Sequence, residues 1–317
     1  MINRRRLLAG ASLAAVGTLA APSILRAQSG QTVKMGALRL VHSMPPHFYE
    51  KFAPAGLKIE IITFDSPTDC KNAVVTKSVD LGTFGIAAGI LGAAAGEPVV
   101  VVGAMSNRGM GVISKAGSDV KSIKDLKGKT IGINGHNSSI HLWALLAVQK
   151  AGLDPAKDVT FAPVPFPAQG EALRSGKIDV GAFPQPFAKM EQDKGGVTTL
   201  FTSKDGVPFD EELMLLVAKP DFAEKNQVAV RAFLADLVAA TKYYDQNPKA
   251  ARQALLDAKF VRLPETVYFD MLDYYRDPNA RIDVEALKKM QDLQINVGWQ
   301  DKPADINALV DLKYLPK

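Results

Sequence analysis

The chain has 317 residues, enough for two domains of ordinary size. Its formal charge is +5, but Arg4, Arg5, Arg6 and Arg26 supply four of those charges from one N-terminal stretch, so the rest carries about +1. A nearly neutral remainder gives no electrostatic case for nucleic-acid or membrane-surface binding, and a single cysteine, Cys70, excludes a disulfide framework and a cysteine-based metal site.

Residues 1–27 read as an export signal: an arginine-rich start, an apolar small-residue run over 7–21, and a cleavage site ending at Ala27. Adjacent arginines before Leu7-Leu8 resemble the twin-arginine signal; an ordinary secretory signal with an extra arginine is the alternative. No cysteine stands directly after the apolar run, so lipid anchoring at that point is not expected. Residues 86–102 are interrupted by Glu97-Pro98 and are too broken to span a bilayer. The mature protein is expected to be soluble outside the cytoplasmic membrane.

Alternating apolar residues at 32–41 predict the first strand, and LKIEIITF at 57–64 the second. Asp65-Ser66-Pro67 is a helix start, with a cap residue ahead of proline, and the helix should run to about residue 77. A strand at 79–83, a helix at 86–95 and a strand at 98–103 follow. This alternation with short connections predicts a parallel, doubly wound sheet. A second run has strands at 109–114, 129–134, 159–163, 177–183, 197–201 and 213–218, with helices at 140–151, 168–175 and 186–194. Beyond residue 226 the pattern is helical only, at 226–244, 248–257, 264–275 and 284–297, and such helices must pack on domains already built. VDLGTF at 79–84 and IDVGAF at 178–183 are near copies, which suggests two domains of like construction with a cleft between strand ends.

The stretch DLKGKTIGINGHNSSIHLWALLAVQKAG at 125–152 is the most informative. A β-branched strand between glycines leads into Gly135-His136-Asn137-Ser138-Ser139, the residue types of a helix start. A helix that begins right after a buried strand leaves N–H groups at the carboxyl edge of the sheet, where its dipole favours an anion. An ordinary capped helix uses the same residues. Gly128-Lys129-Thr130 precedes a strand, whereas a phosphate loop follows one, and no nucleophile elbow, zincin motif or metal-spaced His/acid pair occurs.

VDLGTFGIAAGILGAAAGEPVVVVGAM, DLKGKTIGINGHNSS, LRSGKIDVGAFPQPF, NPKAARQAL and the closing DINALVDLKYL resemble the periplasmic substrate-binding proteins of ABC importers for nitrate, sulfonates and taurine. The resemblance implies an α/β fold of the two-lobe, type II-like clamshell kind. Each lobe would be a mainly parallel sheet flanked by helices, joined by two crossovers, with lobe I at 32–108 plus 218–317 and lobe II at 109–217. It further implies a monomeric periplasmic protein that captures a small organic anion and delivers it to a membrane permease, with no cofactor, catalytic role or nucleic-acid partner. Two alternatives are an enzyme of the pyrimidine-precursor-synthase type on the same fold, whose members carry a cysteine-rich signature absent here, and a ligand-sensing module without transport.

Carried over by motif, the ligand would meet four turns. They contain Ser43 beside His42; Phe84, Gly85 and Ala87; His136, Asn137, Ser138 and Ser139; and Gln185 between Pro184 and Pro186. Relatives often carry an acidic or aromatic residue where Gln185 stands, and the first helix of the family is reduced here to PPHFYEKFAPAG. Arg108, at the expected first crossover, is a candidate anion clamp. Phe84, Phe183 and Phe187 are candidates for an apolar wall.

Overall fold

Two five-stranded sheets organise the chain. The computed structural model describes residues 31–38, 45, 57–64, 67–107 and 112–317, so the expected export signal, His42, Ser43 and Arg108 lie outside the described residues. The first sheet has strand order β2-β1-β3-β10-β4, built from β1 (Gln31–Leu38), β2 (Leu57–Phe64), β3 (Leu81–Gly85), β4 (Val100–Asn107) and β10 (Glu212–Ala218). The second has order β7-β6-β8-β5-β9, from β5 (Val112–Ala116), β6 (Lys129–Ile133), β7 (Val159–Pro163), β8 (Val180–Phe183) and β9 (Val197–Thr202).

Both sheets are mainly parallel, and each contains one strand antiparallel to its neighbours: β10 between β3 and β4, and β5 between β8 and β9. In each case it is the strand that enters after the chain has crossed from the other sheet. The expected boundary at residue 217 therefore needs correction, because all of β10 belongs to the first sheet and the second crossover precedes Glu212. LMLLVA is buried along its whole length, as any central strand would be, so its composition does not say which sheet it joins.

The near copies VDLGTF and IDVGAF occupy equivalent places, each ending in the central strand of its sheet. Asp80 Oδ2 accepts the Lys34 N–H at 2.9 Å while the Asp80 N–H donates to the Lys34 carbonyl at 2.9 Å. Asp179 makes the same reciprocal pair with Thr130, at 2.8 and 2.9 Å. One aspartate in each lobe thus sets the register of the central parallel strand against its neighbour.

Helices cover these sheets: α1 (Pro67–Val75) and α2 (Ile86–Ala94) on the first, and α3 (Ser139–Lys150), α4 (Phe166–Arg174) and α5 (Phe187–Lys194) on the second. A short α6 (Ser203–Gly206) lies in the return crossover and packs on α3. The remaining helices are α7 (Pro220–Lys225), α8 (Gln227–Gln246), α9 (Pro248–Asp257), α10 (Glu265–Asp270), α11 (Val284–Asn296) and α12 (Ile306–Leu309). No described helix is long and apolar enough to cross a membrane.

One helix is shorter than its sequence predicts. Residues 264–275 continue an apolar helical pattern, yet α10 stops at Asp270 and Met271 turns extended, with φ −68° and ψ 148°. The cause lies on α9. The buried Arg252 guanidinium donates to the carbonyls of Tyr268 at 2.7 Å and Phe269 at 3.1 Å, which a longer helix would have used itself. Asp273 then accepts from Tyr244 at 2.5 Å, Arg252 at 3.0 Å and Arg276 at 3.0 Å. Burial raises the Asp273 carboxyl, but Arg276, Tyr244 and Arg252 outweigh it and hold the group below the ordinary carboxylate range. The network pins residues 271–276 as a strap.

Candidate functional site

A cavity of about 510 Å³ lies between the carboxyl edges of the two sheets, with walls from both. The first lobe contributes Lys71 of α1, Gly85 at the end of β3, Leu91 and Gly92 of α2, Glu97, Leu213 and Met214. The second contributes residues 134–140, Trp143 of α3, Phe166 and Pro184. Tyr274, from the strap, closes the set.

The turn before α3 shows why its residues are arranged as they are. Asn137 has a left-handed φ of 60°, a conformation asparagine tolerates, and this turns the chain from β6 into the helix. Ser138 is the N-cap: its Oγ accepts the His141 N–H at 3.2 Å and lies 2.8 Å from both Asn134 Oδ1 and the Gly135 carbonyl. Its hydrogen-bonding capacity is spent within the turn. Ser139 differs: it lines the cavity, is 7% exposed, and its Oγ has no partner among the described residues. A methyl group built on Gly85 would lie 3.6 Å from that oxygen, so the N-terminus of α2 and the N-terminus of α3 meet there across the lobes. Two helix starts and one unsatisfied buried hydroxyl converge on the same spot, which suits an anionic oxygen.

Of the expected site residues, Gly85, His136, Asn137, Ser138 and Ser139 line the cavity. Phe84, Ala87 and Gln185 do not. Phe84 is fully buried and its ring sits under Gly89, where any Cβ would come within 2.7 Å of Phe84 Cε2, because strand alternation turns it away from the edge. Ala87 is also fully buried, and its carbonyl accepts from Gln294 Nε2 of α11 at 2.9 Å. Gln185 is 4% exposed, and its Oε1 folds back to accept the Lys189 N–H of α5 at 3.3 Å. Phe183 is buried in a core cluster of the second lobe, and Phe187 stacks on the cavity residue Phe166 with ring centroids 5.9 Å apart.

Lys71, Glu97, Trp143 and Tyr274 are among the lining residues that the sequence did not single out. Lys71 and Glu97 form an ion pair at 2.5 Å. Trp143 donates its Nε1–H to Glu211 Oε2 at 2.9 Å, tying α3 to the crossover before β10. Burial pushes the Glu211 carboxyl up to about 8, against the opposing pull of the Trp143 bond and Lys204. Tyr274 accepts the Gln185 N–H at 3.2 Å. Of the four, Lys71 alone had a usable signal, sitting one turn beyond Pro67 in a helix start.

His141, buried behind the turn, accepts the Asn137 N–H on Nδ1 at 3.1 Å and packs against Trp299 with ring centroids 5.0 Å apart. Burial, and then the neighbouring His136, lower its imidazole to about 4, so it is neutral near pH 7. The contact joins α3 to the segment after α11, outside the cavity.

Comparison with known proteins agrees with this architecture. The NMT1/THI5-like family model matches residues 50–251. An Escherichia coli (strain K12) protein named for binding aliphatic sulfonates is 28% identical over 256 residues, covering 79% of this chain and 76% of its own length. A Saccharomyces cerevisiae 4-amino-5-hydroxymethyl-2-methylpyrimidine phosphate synthase is 26% identical over 227 residues, 66% of this chain and 64% of that enzyme. In fold, the periplasmic aliphatic sulphonate binding protein SsuA of Escherichia coli superposes with a TM-score of 0.71 at 21% identity, over 89% of this chain and 92% of that one. The two-lobe α/β clamshell, the order of its strands and the matched span together make this chain a member of the NMT1/THI5-like family, with the fold of the periplasmic binding proteins.

Proposed function

We propose that this protein is the solute-binding component of an ABC import system, exported to the periplasm as a monomer by way of residues 1–27. It captures a small organic molecule with an anionic head between its lobes and delivers it to a membrane permease. The observation that carries this reading is the unpartnered Ser139 hydroxyl, buried at a helix N-terminus and facing Gly85 of the opposite lobe inside a cavity of about 510 Å³. An anionic oxygen there gains the hydroxyl bond and two helix dipoles at once. Ligand on both faces favours the closed arrangement through its extra contacts with that state, and the closed form is the one the permease would read.

A thermal-shift screen of the purified protein against sulfonates, nitrate, carboxylates and pyrimidines tests it, since a true ligand raises the melting temperature by mass action. Absence of a rise with every anion would overturn the reading. The synthase relative supports a second reading, an enzyme on the same fold. The only thiol speaks against a reactive cysteine, because Cys70 is buried and burial pushes its pKa up to about 11, leaving little thiolate near pH 7. Binding is therefore preferred. A sensing module would close in the same way, and a ligand-uptake assay in cells lacking the protein separates transport from sensing.

A further inference from the structure

The cavity has a second polar end. Gly85, Ala88, Leu91, Gly92 and Ala95 line it along one face of α2, at the spacing of a single helical stripe. Ten residues of helix rise by about 15 Å, so the cavity runs from the Ser139 end toward Lys71 and Glu97 at the far end of α2. Glu97 Oε1 binds Lys71 Nζ at 2.5 Å, while Glu97 Oε2 is buried without a partner among the described residues. The carboxylate rests directly on Gly92, where a Cβ would come within 2.3 Å of Oε2, so a glycine is what leaves it room.

A carboxylate oxygen only accepts, so its missing partner is a donor. The charge of Glu97 is already balanced by Lys71, which is 13% exposed on its side chain. A second cation beside Lys71 would be repelled, whereas a neutral O–H or N–H would satisfy Oε2 with no new charge. Lys71 and Glu97 are the Lys, Arg, Asp and Glu side chains lining the cavity among the described residues, so the lining has no net charge from them. Leu91, Ile140, Trp143 and Phe166 make the space between the two ends apolar.

Resting on the reading of the Ser139 end as an anion site, we infer that the natural ligand is elongated and bifunctional. It has an acidic head at Ser139, an apolar middle beside α2, and an uncharged hydroxyl or amide donor that binds Glu97 Oε2. Lys71 holds the carboxylate in place and does not itself bind the acid.

Alkanesulfonates of increasing chain length test this by calorimetric titration, in three forms: plain, hydroxyl-terminated and ammonium-terminated. Affinity should rise with length, and at full length the hydroxyl form should bind about tenfold tighter than the plain one, the worth of a hydrogen bond to a charged group. The ammonium form should gain nothing over the plain one. The Lys71→Met/Glu97→Leu variant should abolish the hydroxyl advantage. Equal affinities of hydroxyl and plain forms in the native protein, or an advantage that survives in the variant, would overturn the inference. If either of those results appears while short plain sulfonates bind and Ser139→Ala weakens them, the anion site stands and only the distal assignment falls. If no member of any series binds, both fall.

Discussion

The phenolic oxygen of Tyr274 accepts the backbone N–H of Gln185 at 3.2 Å, and the two residues come from opposite lobes. Gln185 stands in the turn after β8 of the second lobe, and Tyr274 on the strap that the Arg252–Asp273–Arg276 network holds to the first. The bond spans the cleft beside the ligand space and can form only while the lobes are together. Tyr274→Phe keeps the ring and removes the acceptor, leaving a buried N–H without its partner in the closed state. Ligand affinity should fall about fivefold to tenfold, in line with one hydrogen bond, with little change in the melting temperature of the ligand-free protein. Titration calorimetry and a thermal melt read the two effects separately, and unchanged affinity would remove Tyr274 from the closure mechanism.

Ser138 and Ser139 should part company when mutated. Ser138→Ala loses the cap of α3 and should cost about 1 kcal/mol of stability. Ser139→Ala removes a buried hydroxyl that has no partner, so the empty protein should be as stable or slightly more stable, while anion affinity drops. Denaturant unfolding and titration of each single variant give the comparison, which a joint replacement would blur.

Glu211 sets a pH dependence whose sign can be worked out. Its folded pKa is raised to about 8 from 4.5, so between those values the unfolded chain has released a proton that the folded chain retains. Stability should therefore decline as pH rises from about 4.5 to 8, and level off above. Glu211→Gln preserves an acceptor for Trp143 and should flatten that decline, as seen in melting temperatures across the range. His141 acts with opposite sign: its folded value of about 4 lies below 6.5, so its contribution is complete above 6.5 and is lost as pH falls toward 4.

Arg252 is the keystone of the strap. Arg252→Met would leave Asp273 with one guanidinium fewer and the carbonyls of Tyr268 and Phe269 without their donor. Removing one member of a buried charged network typically costs about 3–5 kcal/mol, so the variant should unfold at markedly lower denaturant. If it folds, its affinity should resemble that of Tyr274→Phe, because the strap no longer presents the phenol. Native-like unfolding of this variant would show that the strap holds by apolar packing alone.

Much of the fold was legible because its signals are local. VDLGTF and IDVGAF read as twin strands, and the structure gives Asp80 and Asp179 the same reciprocal pairing with the neighbouring strand. The helix start at residues 136–139 is visible because hydroxyl and amide side chains after a β-branched strand have few other uses. The site was legible only at that level. Phe84, Ala87 and Gln185 stand in the expected turns yet face the core or a neighbouring helix, since a motif marks a turn and not the direction of each side chain.

The amino-acid sequence by itself determined the alternation of strands and helices, the internal repeat of the two lobes and the helix start that faces the cavity. Each rests on periodicity or on chemistry within a few residues. Only the tertiary structure decided that β10 returns to the first sheet, that α10 ends at Asp270, that Ser139 and not Ser138 is left unpartnered, and that Lys71 meets Glu97. Those outcomes depend on groups apart along the chain, with separations of 16 positions for Arg252 and Tyr268 and 26 for Lys71 and Glu97. Burial and pairing at that separation follow from packing, which no local pattern encodes.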